Sequence, residues 1–191
     1  MTGSAKTAAP SGNEVICRGE RFDLYLDRET ILKRVTEIGI AISRDYDGRV
    51  PILIGVLNGS FMFLADLMRR LTIECEVDFW KLSSYGARKV SSGQVTELKK
   101  VDADLTGRHV IVVEDIIDTG LSIEYVVERI REYGPASLRV VTLLHKAEAT
   151  SSDVPIAYVG FHIPDLFVIG YGLDYGQLGR NLPDIYIQSE P

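Results

Sequence analysis

Cysteine is scarce in this chain of 191 residues: Cys17 and Cys75 are the only two, with no CxxC spacing and no histidine pair beside either. That excludes a disulfide framework and a zinc-binding ribbon, and a reducing cytoplasm is the expected setting. Basic residues are also in deficit, 21 Lys and Arg against 27 Asp and Glu, a formal net charge of −6. Nucleic-acid binding rests on a basic surface, so no nucleic-acid partner is expected, although a local basic pocket for a small anion stays compatible. No apolar run approaches the roughly 18 residues of a membrane span, so no membrane partner is expected. Neither GxxxxGK[ST] nor GxGxxG occurs, which removes the Walker loop and the dinucleotide fingerprint. The start, MTGSAKTAAPSGNE (1–14), lacks the apolar centre of a secretory signal and reads as a disordered tail, with a single ordered domain from 15 to 191.

What the chain does have is alternation. Asp27 is a candidate N-cap for a helix with Ile31, Val35, Ile38 and Ile42 at helical spacing. PILIGVL (51–57) is a continuous apolar run of strand length, and SFMFLADLMRR (60–70) reads as a helix with Phe61, Leu64 and Met68 on its inner face. TIECEVDF (72–79) alternates Ile73, Cys75, Val77 and Phe79 as a strand does. SSYGARKVSSGQ (83–94) is a long Ser- and Gly-rich loop. A helix at 121–133, with Ile123, Val126, Val127 and Ile130 inward, stops at Gly134 and Pro135, and SLRVVTLLH, IAYVGF, FVIGYG and DIYIQ are further strands. The pattern predicts an α/β fold, a largely parallel central sheet flanked by helices on both faces. Ligands of such sheets bind beyond the carboxyl ends of the strands, so the loops bearing Asn58 and Gly59, Glu114 to Ser122, and Lys146 should converge.

HVIVVEDIIDTGLS (109–122) is the stretch that asks for a function. A buried strand runs into Glu114 and Asp115, and Asp118 follows three residues on. Unpaired buried carboxylates are costly, so the trio calls for a cationic or hydroxyl-rich partner. Thr119, Gly120, Leu121 and Ser122 lead directly into a helix, whose first free N–H groups and dipole make an anion site. A phosphate there leaves Glu114 and Asp115 for the vicinal hydroxyls of a sugar, directly or through Mg²⁺. A phosphorylated ribose satisfies both halves. The plainer alternative has Asp118 capping the helix and the acidic pair facing water.

Strand, acidic pair, two apolar residues, Asp-Thr-Gly and helix resembles the binding signature of phosphoribosyltransferases. LNGSFMF (57–63), SSYG (83–86), VEDIIDTG (113–120), LLHK (143–146) and FHIPDLFVIGYGLDYGQLGR (161–180) are similar, in this order, to segments of the hypoxanthine-guanine phosphoribosyltransferases. The resemblance runs from about residue 15 to residue 187. It implies the family's fold, with a small hood formed by the terminal segments, and Mg²⁺-dependent transfer of phosphoribose from phosphoribosyl pyrophosphate to hypoxanthine or guanine, in a homo-oligomer of two or four subunits. A ligand-sensing regulator on the same fold is the alternative; the presence of Asp118, Lys146 and Asp174 speaks against it.

By the same resemblance, Glu114 and Asp115 hold the ribose hydroxyls and, with Asp174, the metal. Asp118 is the general base for the purine N7 proton. Thr119, Gly120, Leu121 and Ser122 form the 5′-phosphate loop, with Leu121 contributing backbone only. Asn58, Gly59 and Arg180 meet the pyrophosphate. Lys146 donates to the purine O6, Phe167 stacks on the base, and the Val168 main chain reads its far edge. Ser84 and Tyr85 belong to a lid. Two departures stand out: Asn58 replaces a Lys or Arg of many relatives, and Leu121 a Lys of some. His109, His145 and His162 share no ligand spacing and are read as structural.

Overall fold

The computed structural model describes residues 13–83, 96–99, 101–150 and 154–189. Ser84 and Tyr85 lie outside the described residues, as do most of the loop after Ser83 and residues 1–12 of the expected tail 1–14, whose last residue, Glu14, instead opens the first strand.

The chain opens with a hairpin, β1 (Glu14–Cys17) and β2 (Glu20–Leu26), followed by α1 (Arg28–Asp45). Asp27 caps that helix as the sequence predicts, its Oδ1 accepting from the Thr30 amide at 2.7 Å. Next come β3 (Ile52–Leu57), α2 (Phe61–Met68), β4 (Glu76–Ser83), β5 (Thr96–Lys99) and β6 (His109–Ile117). Then follow α3 (Leu121–Glu132), β7 (Ser137–His145), β8 (Ile156–His162), β9 (Val168–Ile169) and β10 (Ile185–Gln188). The central sheet runs β5-β4-β3-β6-β7-β8. All its neighbours are parallel except β4 and β5, which pair antiparallel. The terminal strands make a separate antiparallel sheet, β1-β2-β10-β9, which is the expected hood.

The continuous apolar runs are strands buried on both faces, which is why they do not alternate with polar residues. Leu53 of β3 and Ile111 and Val113 of β6 face one core, against Ile31, Val35, Ile38 and Ile42 of α1. Ile52, Ile54, Val110 and Val112 face the other, against Ile123, Val126, Val127 and Ile130 of α3. The hood has its own small core of Val15, Cys17, Phe22, Ile169, Leu182 and Tyr186.

Three local expectations are corrected. The inner face of α2 is Phe63, Leu64 and Leu67, while Phe61 is 39% exposed and Met68 is only partly buried. Phe63, Leu64 and Leu67 share one core with Ile31, Val35, Ile38 and Ile42 of α1, and burial against that helix decides which face turns inward. β4 starts at Glu76, four residues later than the alternation suggests, and its buried residues are Asp78 and Trp80. The strand β6 does not end at Val113; it continues through Glu114 and Asp115 to Ile117 because β7 pairs with it all the way to His145. The acidic pair therefore sits within a strand, not in a loop after one.

Asp78 explains how the edge connection is held. Its Oδ1 accepts from the Phe79 amide at 2.7 Å and Lys99 Nζ at 3.1 Å; its Oδ2 accepts from the amides of Asp102 at 2.6 Å and Ala103 at 2.9 Å. Burial by itself raises the Asp78 carboxyl, but the bonds from Ala103, Phe79, Lys99 and Asp102 outweigh it and hold the group below its ordinary value. Both oxygens face donors, so in Asp78→Asn the new NH₂ must meet N–H groups. We expect a loss of about 1 to 3 kcal/mol, the cost of unsatisfied buried donors. A depressed carboxyl contributes stability above its unfolded pKa and loses it as pH falls through the folded one. The gap in thermal midpoint between variant and parent should thus be full at pH 7 and shrink below the ordinary value of 3.8.

Candidate active site

The carboxyl ends of β3, β6 and β7 deliver the predicted residues to one place. Gly59, just after β3, lies so close to β6 that an added Cβ would fall on the Asp115 carboxylate. From the other side, the hood loop after β9 lies against the same turn. Gly172, at φ +100°, presents no side chain, and a Cβ there would strike the Gly59 carbonyl. The stack of backbone on backbone on carboxylate brings Asn58, Gly59, Asp115 and the 170–180 segment together. Arg180 is fixed in that stack by donating from Nη1 to the Gly172 carbonyl at 2.7 Å and by pairing with Asp174 at 2.6 Å.

Glu114 and Asp115 are held in a dry setting. Burial pushes the Glu114 carboxyl well above the ordinary range, and the Asp115 charge beside it adds to the rise. Asp115 is raised by burial too, offset by a hydrogen bond from Glu114 and by the Arg180 charge among other contacts. Glu114 Oε2 is buried without a hydrogen-bond partner. That orphaned oxygen is an acceptor in want of hydroxyl donors or a cation. Mg²⁺ typically takes one or two carboxylates and completes its shell with water and ligand oxygens, so this pair suits it. Among the described residues no three His, Cys, Asp or Glu come together to hold a metal, and Asp174 is committed to Arg180 and to the Gln177 amide at 2.7 Å.

The second half of the acidic loop separates from the first. Asp118 does not cap the following helix. The cap of α3 is Gly120, left-handed at φ 88°, with no side-chain hydrogen bond. The first helical bond runs from the Glu124 amide to the Gly120 carbonyl at 2.9 Å, which leaves the amides before it without intrahelical acceptors. Thr119, Leu121 and Ser122 are exposed around them. This is an anion cradle of main-chain donors, with the helix dipole behind it.

Asp118 turns instead to Lys146, whose Nζ donates to Asp118 Oδ2 at 2.9 Å. Lys146 comes from the end of β7, where its own amide donates to the Ile117 carbonyl at 2.9 Å, so β6 and β7 fix the pair jointly. The lysine side chain is only 8% exposed. Burial lowers its pKa, but bonds to Asp165 and Asp118 outweigh that and hold the ammonium above its ordinary value. Asp165, 2.8 Å from Nζ, is a residue the sequence reading missed. Nothing local marks it; its partner lies 19 residues away. Thr150 is a second omission: its hydroxyl donates to the Asp118 carbonyl at 2.6 Å. His145 Nε2 stands 3.2 Å from that hydroxyl, and its ring is 5.3 Å from that of His162, so the histidines brace the site as structural residues.

Phe167 and Val168 line the hood side. Phe167 is 43% exposed, its ring set edge-on to Tyr175 with centroids 5.5 Å apart. Val168 is on the edge strand β9, opposite Ile187. The neighbouring Gln188 amide bonds the Phe167 carbonyl at 2.9 Å, so Val168 occupies a non-hydrogen-bonded position. Its own N–H and C=O point away from β10. They are available to a flat ligand stacked on Phe167.

Comparison with known proteins follows this geometry. The phosphoribosyl transferase domain model matches residues 23–176. The chain is 43% identical over 162 residues to the hypoxanthine-guanine phosphoribosyltransferase of Bacillus subtilis (strain 168), covering 85% of this chain and 90% of that one. The like-named protein of Mycobacterium tuberculosis (strain ATCC 25618 / H37Rv) is 39% identical over 188 residues, 95% of this chain and 93% of the other. A solved structure of a hypoxanthine-guanine phosphoribosyltransferase from Bacillus anthracis superposes with a TM-score of 0.83 at 41% identity, covering 87% of this chain and 98% of that chain.

The buried pair generates a prediction about stability. A carboxyl whose folded pKa is raised leaves stability intact below the unfolded pKa, ordinarily 4.5 for Glu, and removes it as pH rises through the folded value. Glu114→Gln should therefore melt higher than the parent at pH 8, with the difference fading as pH is brought to 4 or below. Melting curves across that range test it; a variant melting lower at pH 8 would show that Glu114 is not held against its preference.

Proposed function

This chain belongs to the phosphoribosyl transferase family and, within it, to the hypoxanthine-guanine phosphoribosyltransferases; we propose from that premise how its residues carry the reaction. The protein transfers phosphoribose from 5-phosphoribosyl 1-pyrophosphate to hypoxanthine or guanine, giving the nucleotide and pyrophosphate.

In our reading the 5′-phosphate sits on the amides at the start of α3, with Thr119 and Ser122 adding hydroxyl donors. Glu114 and Asp115 take the ribose hydroxyls. The pyrophosphate meets the Asn58–Gly59 backbone and Arg180. Bound Mg²⁺ would be held by the Glu114–Asp115 pair, with Asp174 at the edge of the site, and would neutralise charge on the leaving group. As purine N9 bonds to C1 of the ribose, the C1–O bond breaks and pyrophosphate departs with the electron pair. Asp118 receives the N7 proton. Its side chain is half exposed, and Lys146 engages its Oδ2, leaving Oδ1 for the base. Positioning and one proton transfer are the protein's share. The same reading takes residues 15–191 as one domain working as a homo-oligomer in the cytoplasm, where its two free cysteines stay reduced.

Lys146 carries the choice of base. An ammonium has donors only, so it pairs with the O6 acceptor of hypoxanthine or guanine and opposes the amino group of adenine. A site built on such a contact discriminates by about 10⁴. The Val168 carbonyl accepts from the guanine amino group and repels the O2 of xanthine. We expect hypoxanthine and guanine to be substrates, xanthine poor and adenine inert, when kcat/KM is measured for the four bases with Mg²⁺ and phosphoribosyl pyrophosphate. Lys146→Ala should flatten the difference between hypoxanthine and adenine. Adenine turned over as fast as hypoxanthine by the parent protein would defeat the assignment.

Asp118→Asn preserves size and hydrogen bonding yet is a far weaker base. Its kcat should fall by about 10² to 10⁴, the usual cost of a lost general base, while substrate affinities hold. An unchanged kcat would remove Asp118 from the mechanism.

A further inference from the structure

Lys146 has two carboxylate partners, and the reaction assigns a role to only one of them. We propose that Asp165 is a positioning residue that holds the Lys146 ammonium at the purine O6 once Asp118 has turned to N7; the inference rests on the functional reading above.

Lys146 Nζ donates to Asp118 Oδ2 at 2.9 Å and to Asp165 Oδ1 at 2.8 Å. An ammonium has three donors, so one remains for a ligand oxygen. When a purine binds, Asp118 faces N7 through Oδ1 and takes up its proton, so the carboxyl that bonds Lys146 through Oδ2 loses its negative charge. A lysine side chain 8% exposed cannot be left without an anionic partner except at a large desolvation cost. Asp165 is the carboxylate that stays. It contacts neither the proton in transit nor the phosphates.

Its place in the chain adds a second reason. Asp165 stands two residues before Phe167 and three before Val168, in the turn where the Leu166 amide bonds the Pro164 carbonyl at 2.8 Å. Lys146 belongs to the end of β7. The 2.8 Å ion pair therefore ties the O6 donor to the segment that stacks on the base and reads its other edge. Asp165 sets the distance between these two recognition elements. Because its side chain is 68% exposed, solvent weakens the pair, and the effect of removing it is moderate.

The test is steady-state kinetics on the parent, Asp165→Asn and Asp165→Glu. In Asp165→Asn the KM for hypoxanthine and for guanine should rise by about tenfold, the low end for a charge-assisted hydrogen bond open to solvent. The change in kcat should be smaller than that in KM, and the KM for phosphoribosyl pyrophosphate should stay put. Preference for hypoxanthine over adenine should narrow, and Asp165→Glu should restore most of the purine affinity. Purine KM values equal to the parent's overturn the proposal. So does a parallel loss of affinity for phosphoribosyl pyrophosphate, which would assign Asp165 to the fold alone. A parent protein that turns over no purine defeats the functional reading itself, an outcome distinct from both.

Discussion

The end of β6 must carry charge in a place where water is excluded, and much of the molecule is arranged around that requirement. Glu114 and Asp115 belong to a central strand with β3 on one side and β7 on the other. Burial raises both carboxyls, and the Asp115 charge raises Glu114 further, while a hydrogen bond from Glu114 partly offsets the rise at Asp115. An apolar pair of the same size would be more stable there, as it usually is where buried ions lack full compensation. In the function proposed above, sugar hydroxyls and a cation would relieve these electrostatics, and the unpartnered Glu114 Oε2 is the acceptor they would meet. Gly59 and Gly172 exist in their positions because the carboxylate and two loops share one narrow space.

Under the proposed function the fold divides the chemistry between two layers. The parallel sheet would supply the groups for the phosphoribosyl donor, the Glu114–Asp115 pair and the amides at the start of α3. The hood would supply those for the base, with Phe167 exposed and Val168 on an edge strand. Lys146 and Asp165 join the layers across a distance that neither sheet spans by itself. Two departures from relatives sit in the first layer. Asn58 and Leu121 are both exposed and uncharged, so under the proposed function backbone amides and Arg180 would bear more of the phosphate charge here.

Much of the architecture was legible because it follows from burial periodicity. The inward residues of α1 and α3 are those their spacing predicts, and the doubly buried strands read as unbroken apolar runs. The reading failed where two periods compete. TIECEVDF alternates well enough to suggest a strand from Thr72, yet only the part from Glu76 finds a neighbour to pair with, and its buried side chains are Asp78 and Trp80. Hydrogen bonding to β3 decides a strand's extent; alternation alone does not.

The sequence by itself determined the α/β class, the Asp27 cap and the inward faces of α1 and α3, because each of these is set by residues near one another along the chain. It also singled out Asp118, Lys146, Phe167 and Arg180 as candidates for the chemistry. Tertiary structure alone decided which groups meet. It showed that Asp118 is paired with Lys146 and is not a helix cap, and that Asp174 is bound to Arg180 apart from the acidic pair. It also brought in Asp165 and Thr150 as supports of the site. Such pairings join residues far apart in the chain, and their energy depends on burial and distance, which no local pattern encodes.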